Sequence, residues 1–324
     1  MHRIDVEPQT LMQELERSFQ GPLVVAIGGG EGLSRVLGAV LGYAGDIKAI
    51  VTVSDDGGSS GRLAPYLDIP PPGDIRKCLL ALTSGDSTWR SLFEYRFESA
   101  DVAGHSLGNL ILAGLADIEG SFEEALVRAE RLLGAGGSVI PACRDRLALE
   151  IESAGAVVRG QVAVSLHRGT VDAIRVLPET AAGTPRAIEA IESADQIILG
   201  PGSLVTSTIA AMRVPGVTEA INRSSAQLVY VANMVTQDGE TLGMDGVGHL
   251  NALLRLTGVR SPHTIVANDT PIDAVSPLQR IDFDPELTAT YGADLALSDL
   301  VDAQAAWPSH DPVKLGAALT AITP

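Results

Sequence analysis

Short apolar runs alternate with helical stretches along most of this chain. "PLVVAIGGGEGLSRVLGAVLGY" opens on an apolar run from Leu23 to Ile27, turns through glycines and continues as a helix. "IKAIVTVSDDGG" is a second β-branched strand that ends in acids and glycines, and "DQIILGPGSLVTSTIAAM" and "AQLVYVANMVTQ" repeat the scheme, with "HTIVAND" a weaker copy. Apolar strands that alternate with helices predict an α/β fold, a mostly parallel sheet covered on both faces. Residues 68 to 135 read as helices, and Ser121 followed by Glu124 has the spacing of a capping box. From Leu147 to Leu177 the pattern switches to apolar–polar alternation with glycine turns, which predicts a small antiparallel β segment inserted over 147–177. The "DPVKLGAALTAI" stretch predicts a closing helix, and with no repeat, heptad run or low-complexity linker the expectation is one domain over 1–324.

Composition narrows the picture. Of 324 residues 45% are hydrophobic but only 4% aromatic, so the core must be built from Ala, Val, Leu and Ile. A net charge of −17 repels nucleic acid and anionic membrane, while leaving room for a local cation to hold a phosphate. Cys78 and Cys143 are too few for a disulfide framework and fit a reducing compartment. No apolar run reaches the roughly 20 residues of a membrane span. "MHRIDVEPQTLMQELERSF" is charged and amphipathic, unlike a signal peptide. The expectation is a cytoplasmic protein without membrane insertion or a nucleic-acid partner.

The candidate chemistry lies in the loops. Gly28, Gly29, Gly30 and Gly32 stand where the first strand turns into a helix, and backbone amides at a helix start attract phosphate. The loop lacks the Gly-Lys-Ser/Thr of a P-loop, and Leu33 replaces the third glycine of a dinucleotide fingerprint. Gly200, Gly202 and Ser203 repeat the arrangement after a later strand, and Asn233 and Thr236 follow the next one. A ligand lying across the carboxyl ends of the strands explains all of them.

In "VSDDGGSSGRL", Asp55 and Asp56 can take ribose or sugar hydroxyls, or hold a divalent ion such as Mg2+ against phosphate oxygens. Gly57, Gly58, Ser59 and Ser60 supply small polar groups beside them, and Arg62 a fork for phosphate. In "DIPPPGDIRKCLLAL", Asp74 can cap a helix whose first turn carries Arg76 and Lys77, cations that oppose the helix dipole unless an anion faces them. "GHSLG", residues 104–108, matches the G-x-S-x-G of a hydrolase elbow, but the charged "FEYRFESADVA" before it is no apolar strand, and nothing places His249 or His263 beside Ser106. His105, Ser106 and Asn109 read instead as polar groups at a helix start, with His105 a candidate acid or base. His167 reads as a surface residue of the inserted strands, and Cys78 as a buried, inert thiol.

"AIGGGEGLS", "AIVTVSDDGGSSGRL", "IPPPGDIRKCLLAL", "FEYRF", "GHSLGNLILAGL", "IILGPGSLVTSTI" and "VANMVTQDGET" together resemble the YvcK group of the CofD-like superfamily, the bacterial gluconeogenesis factors. The resemblance runs from about Pro22 to "SHDPVKLGAAL". It implies a Rossmann-like three-layer fold and a cytoplasmic protein, linked to cell shape and wall synthesis on gluconeogenic carbon sources. It also implies a nucleotide-sugar ligand such as UDP-N-acetylglucosamine, with an NAD-like dinucleotide as another occupant, and partners among wall-synthesis or regulatory proteins; a homo-oligomer is compatible with it. Carried over, the phosphate loop falls on Gly28 to Gly32, the acidic-serine loop on Asp55 to Arg62 and the second loop on Gly200 to Ser203. Glu31 stands where the group carries Thr, so its carboxylate must turn away from a phosphate or meet a metal.

Two readings follow. In a nucleotide-sugar-binding regulator, Gly28, Gly30, Gly202 and Ser203 hold the diphosphate, Arg62 or Arg76 balances it, and Asp55, Asp56 and Asn233 read hydroxyls. In a CofD-like transferase of phospholactyl-type groups, Asp55 and Asp56 hold Mg2+ against a nucleotide diphosphate donor. The deazaflavin-binding features of CofD enzymes are not recognisable in this chain.

Overall fold

The computed structural model describes residues 21–54, 56–57, 69–99 and 101–323. Strands β1 (Leu23–Gly28), β2 (Asp46–Val51) and β3 (Ser138–Pro141) come first, followed by β4 (Ala148–Ser153), β5 (Ala156–Arg159) and β6 (Ala173–Leu177). The last four are β7 (Gln196–Leu199), β8 (Gln227–Val231), β9 (Thr264–Asn268) and β10 (Asp294–Ser298). Seven of them form one parallel sheet in the order β10-β9-β8-β7-β1-β2-β3, while β5-β4-β6 make a separate antiparallel sheet.

The central strands are buried almost throughout, as a sheet flanked by helices requires. The antiparallel sheet falls inside the segment predicted for it, and includes a short helix that alternation alone did not indicate. Two edge strands were also not predicted. β3 has only Val139 and Ile140 as β-branched residues and ends on Pro141, which an edge strand tolerates. β10 reads Asp-Leu-Ala-Leu-Ser, without a β-branched residue, and is only partly buried.

Helix α1 (Gly30–Val40) follows β1. The helical stretch after β2 resolves into α2 (Pro72–Ala81), α3 (Thr88–Glu94), α4 (Leu107–Glu119) and α5 (Phe122–Leu133). Ser121 caps α5 as its spacing predicted, its hydroxyl accepting from the Glu124 amide at 3.5 Å. Helix α6 (Gln161–Ser165) lies between β5 and β6, and α7 (Pro185–Ser193) leads into β7. After β7, Leu204–Ile209 is wound as a π-helix and runs into α8 (Ala210–Met212). Then come α9 (Val217–Arg223), α10 (Gly246–Thr257), α11 (Pro285–Ala289) and α12 (Pro312–Ala321), the predicted closing helix, capped by Asp311. Among the described residues no helix is long and apolar enough to cross a membrane.

Two features of this layout position the loops. The chain runs outward from β1 to β2 and β3, then returns to add β7 on the other side of β1. The strand order therefore reverses between β1 and β7, the crevice where open α/β sheets take their ligands. Helix α12 packs on α1, where a Cβ on Gly316 would stand 2.8 Å from the Ala39 carbonyl oxygen. Only a glycine permits that approach, which brings residues 305–310 near the start of α1.

π-helices are rare and need local support. Here Glu240, only 5% exposed, accepts from the Val205 amide at 2.9 Å, the Thr206 amide at 3.4 Å and the Thr206 hydroxyl at 2.5 Å. Burial pushes its carboxyl pKa up, and the three donors pull it back. A buried amide stripped of its acceptor carries a desolvation penalty. Glu240→Ala is therefore expected to cost about 2–4 kcal/mol, read as a lower urea midpoint, with Glu240→Gln losing less. Equal midpoints for wild type and Glu240→Ala would contradict this account of the π-helix.

Candidate functional site

The two glycine loops meet at the strand reversal. A Cβ on Gly32 would lie 2.4 Å from the Pro201 carbonyl oxygen and 2.8 Å from the Gly202 Cα, so backbone rests on backbone and any other residue would force the loops apart. Asn233, after β8, pins the second loop from the other side. Its Oδ1 accepts from the Gly202 amide at 2.9 Å, and its Nδ2 donates to the Gly202 oxygen at 2.7 Å. Neither Gly29, which caps α1, nor Ser203, which caps the π-helix, makes a side-chain cap hydrogen bond. Since Glu240 takes the Val205 and Thr206 amides, the first turn of α1 offers the amides and positive dipole end that an anion can use.

Two cavities share this junction. The larger, about 520 Å3, runs from Gly29, Gly30 and Gly32 past Gly202 and Asn233 to residues 305–310. The smaller, about 230 Å3, shares Gly30, Ser203 and Ser207 with it and is walled by Thr52, Ser54, Asp74 and Lys77. Lys77 Nζ lies 3.0 Å from Asp74 Oδ1, and a Cβ on Gly29 would be 2.9 Å from Asp74 Oδ2. A cation and a carboxylate therefore stand together against the first glycine loop.

The residues singled out in the sequence divide clearly. Gly29, Gly30, Gly32, Gly202, Ser203 and Asn233 line the larger cavity, and Asp74 the smaller. Gly28 and Gly200 lie just behind, in the backbone that forms the loops: the Gly28 oxygen accepts from the Thr52 amide, and the Gly200 amide donates to Ile27. Glu31 lies at the edge of the larger cavity, its side chain 79% exposed and 3.6 Å from Arg35. Asp55, Gly58, Ser59, Ser60 and Arg62 lie outside the described residues. Gly57 is described but lines neither cavity.

Asp56 is already engaged. Its two carboxylate oxygens accept from the amides of Gln161 and Val162 at 2.9 and 3.0 Å, holding the start of α6 so that Gln161 lines the smaller cavity. Among the described residues no three His, Cys, Asp or Glu side chains gather to hold a metal.

Arg76, Asn109, Thr236 and His105 do not take the places at the cavities that the sequence suggested. Arg76 does not face an anion: it is 9% exposed, with Nε donating to Asn109 at 3.1 Å and Nη1 to the Phe93 oxygen at 3.0 Å. Arg76 and Asn109 thus join α2 to α3 and α4, and burial lowers the guanidinium pKa. Lys77, one position on and about 100° round the helix, lines the smaller cavity instead. Thr236 is fully buried, its hydroxyl accepting from the Gln279 amide at 2.9 Å, whereas Val235 and Gln237 reach the cavity. His105 lines neither cavity and sits in the turn before α4. Ser106 is buried at the N-cap of α4, with its hydroxyl donating to the Phe93 oxygen at 3.4 Å, and it bridges Arg96 rather than ending a sheet strand, which agrees with rejecting a hydrolase elbow.

The sequence reading missed Arg35, Gln237, Trp307 and His310 in the larger cavity and Thr52, Ser54 and Thr206 in the smaller. A signal existed for some of them: Thr52 and Ser54 directly follow β2, at the carboxyl end where ligands bind. Residues 305–310 carried no signal, since only the packing of α12 brings them to the site.

Known proteins agree with this architecture. The family profile described as 2-phospho-L-lactate transferase CofD matches residues 24–294. The gluconeogenesis factor of Halalkalibacterium halodurans is 41% identical over 252 residues, covering 77% of this chain and 78% of that protein. The gluconeogenesis factor of Bacillus subtilis is 37% identical over 309 residues, 93% of this chain and 98% of that one. A crystal structure of a Bacillus halodurans protein superimposes with a TM-score of 0.89 at 35% identity, covering 93% of this chain and 100% of that one. With two glycine loops joined at the strand reversal of such a sheet, this chain belongs to the CofD family, within its group of gluconeogenesis factors.

Proposed function

We propose that this protein binds a nucleotide sugar of the UDP-N-acetylglucosamine kind and acts as a cytoplasmic regulator, reporting precursor supply to the machinery of cell shape and wall synthesis on gluconeogenic carbon sources. The observation that carries the reading is the convergence of two backbone loops and the uncapped start of α1 on one cavity. Amides at a helix start suit a diphosphate, and the cavity lies in the volume range of small-ligand sites. Lys77, which lines the smaller cavity, supplies a positive charge in place of Arg76, one of the two cations, Arg62 or Arg76, expected to do so. An NAD-like dinucleotide would use the same amides and differ at its second base.

Titration calorimetry with UDP-N-acetylglucosamine is expected to give saturable heat. Lys77→Met is expected to weaken binding about ten-fold, because it removes one charge-assisted contact, while leaving the melting temperature nearly unchanged. Absence of heat with every uridine nucleotide sugar would overturn the reading.

One observation favours a second reading, a transferase of the CofD kind. The smaller cavity sets Asp74 and the Thr52 and Ser54 hydroxyls against the phosphate-loop glycines, where an acceptor group could be held beside a donor diphosphate. Incubation with guanylated or uridylated phospholactyl-type donors and Mg2+, followed by mass spectrometry, is expected to show intact donor if the protein only binds. Release of the nucleoside monophosphate, absent from a protein-free control, would establish turnover instead.

A further inference from the structure

The far wall of the larger cavity is built from residues 305–310, in a segment tied down from Val301 onward. Val301 bridges His310 in antiparallel fashion, the Asp302 amide donates to the Ser309 oxygen at 2.9 Å, and Arg35 donates to the Asp302 carboxylate at 3.0 Å. This segment presents the Trp307 indole, half of its surface exposed, with Met234 and Val235 lining the same space. A flat apolar wall of this kind suits a flat ring.

Two of the residues lining this space each carry a buried polar atom that is unpartnered among the described residues. His310 is 5% exposed and lines the cavity, and its Nε2 has no partner among the described residues. The ring interacts with the Ala232 backbone, and Nε2 is the ring nitrogen left unpartnered; with the proton on the other nitrogen, Nε2 keeps a lone pair. Burial keeps the ring neutral, with its pKa down at about 4, and the Arg35 charge acts in the same direction. Gln237 is the second acceptor: its Nε2 donates to the Ser203 hydroxyl at 3.0 Å, while its buried Oε1 is unpartnered among the described residues. Buried acceptors are normally satisfied, so this wall fits a ligand that brings its own donors.

We propose that Trp307, His310 and Gln237 form a nucleobase subsite that selects a base with a protonated ring nitrogen, uracil over cytosine. This rests on the nucleotide reading above. The base stacks on Trp307 and its N3–H donates to His310 Nε2. Gln237, whose Nε2 donates to Ser203 of the second glycine loop, takes a ribose hydroxyl on its Oε1. Cytosine carries no proton on N3 and sets a lone pair against a lone pair. His310 is thus a specificity-determining residue.

The test titrates the full chain with UDP, CDP and N3-methyl-UDP at neutral pH. UDP is expected to bind at least about ten-fold more tightly than either of the others, the usual penalty for an unmatched buried polar group. His310→Phe is expected to bring UDP and CDP to equal affinity, and Trp307→Ala to weaken all three in parallel, a pattern that general loosening of the fold would not give. Equal binding of UDP and CDP by the wild type, or undiminished binding of N3-methyl-UDP, would overturn the subsite and leave the nucleotide reading standing. No binding of UDP, CDP or UDP-N-acetylglucosamine would overturn both.

Discussion

The site depends on one contact between backbones. Gly32, in the first turn of α1, rests on Pro201 and Gly202 with no room for a Cβ, and this closes the gap between the loops that follow β1 and β7. Parallel pairing of β1 with β7 sets the loops side by side, from Val24 against Gln196 to Ile27 against Leu199. Asn233 then fixes Gly202 from the β8 side, and Glu240 holds the π-helix beyond it. Each of these interactions is made to main chain. The geometry of the site is therefore set by the path of the chain, and side chains contribute charge and selectivity on top of it.

That division of labour explains a polar site in a protein of net charge −17. Few cations are available, and several are already committed: Arg76 to Asn109 and Phe93, and Arg35 to Asp302. Amides and a helix dipole attract an anion without any formal charge. One lysine beside Asp74 then adds to a field that the backbone already provides.

Much of this was legible in the sequence, and the remainder was hidden for physical reasons. Buried parallel strands advertise themselves as β-branched runs, and close backbone approach demands glycine, so β1, β7, β8 and both loops could be read directly. The antiparallel insertion announced itself by alternation. Edge strands β3 and β10 bury less and alternate poorly, so their pattern was faint. Arg76 was misassigned because local dipole arguments do not say which way a side chain points from a helical turn. Thr236 was misplaced by one position in a segment where only neighbours reach the cavity. Trp307 and His310 lie far along the chain from the glycine loops, and only the packing of α12 on α1 brings them there.

The Arg35–Asp302 pair joins residues 267 positions apart. During synthesis from the amino end, α1 and both glycine loops leave the ribosome well before the 305–310 wall exists. The wall over 305–310 is therefore the last part of the cavity to be made, and that side closes only once the closing helix docks on α1.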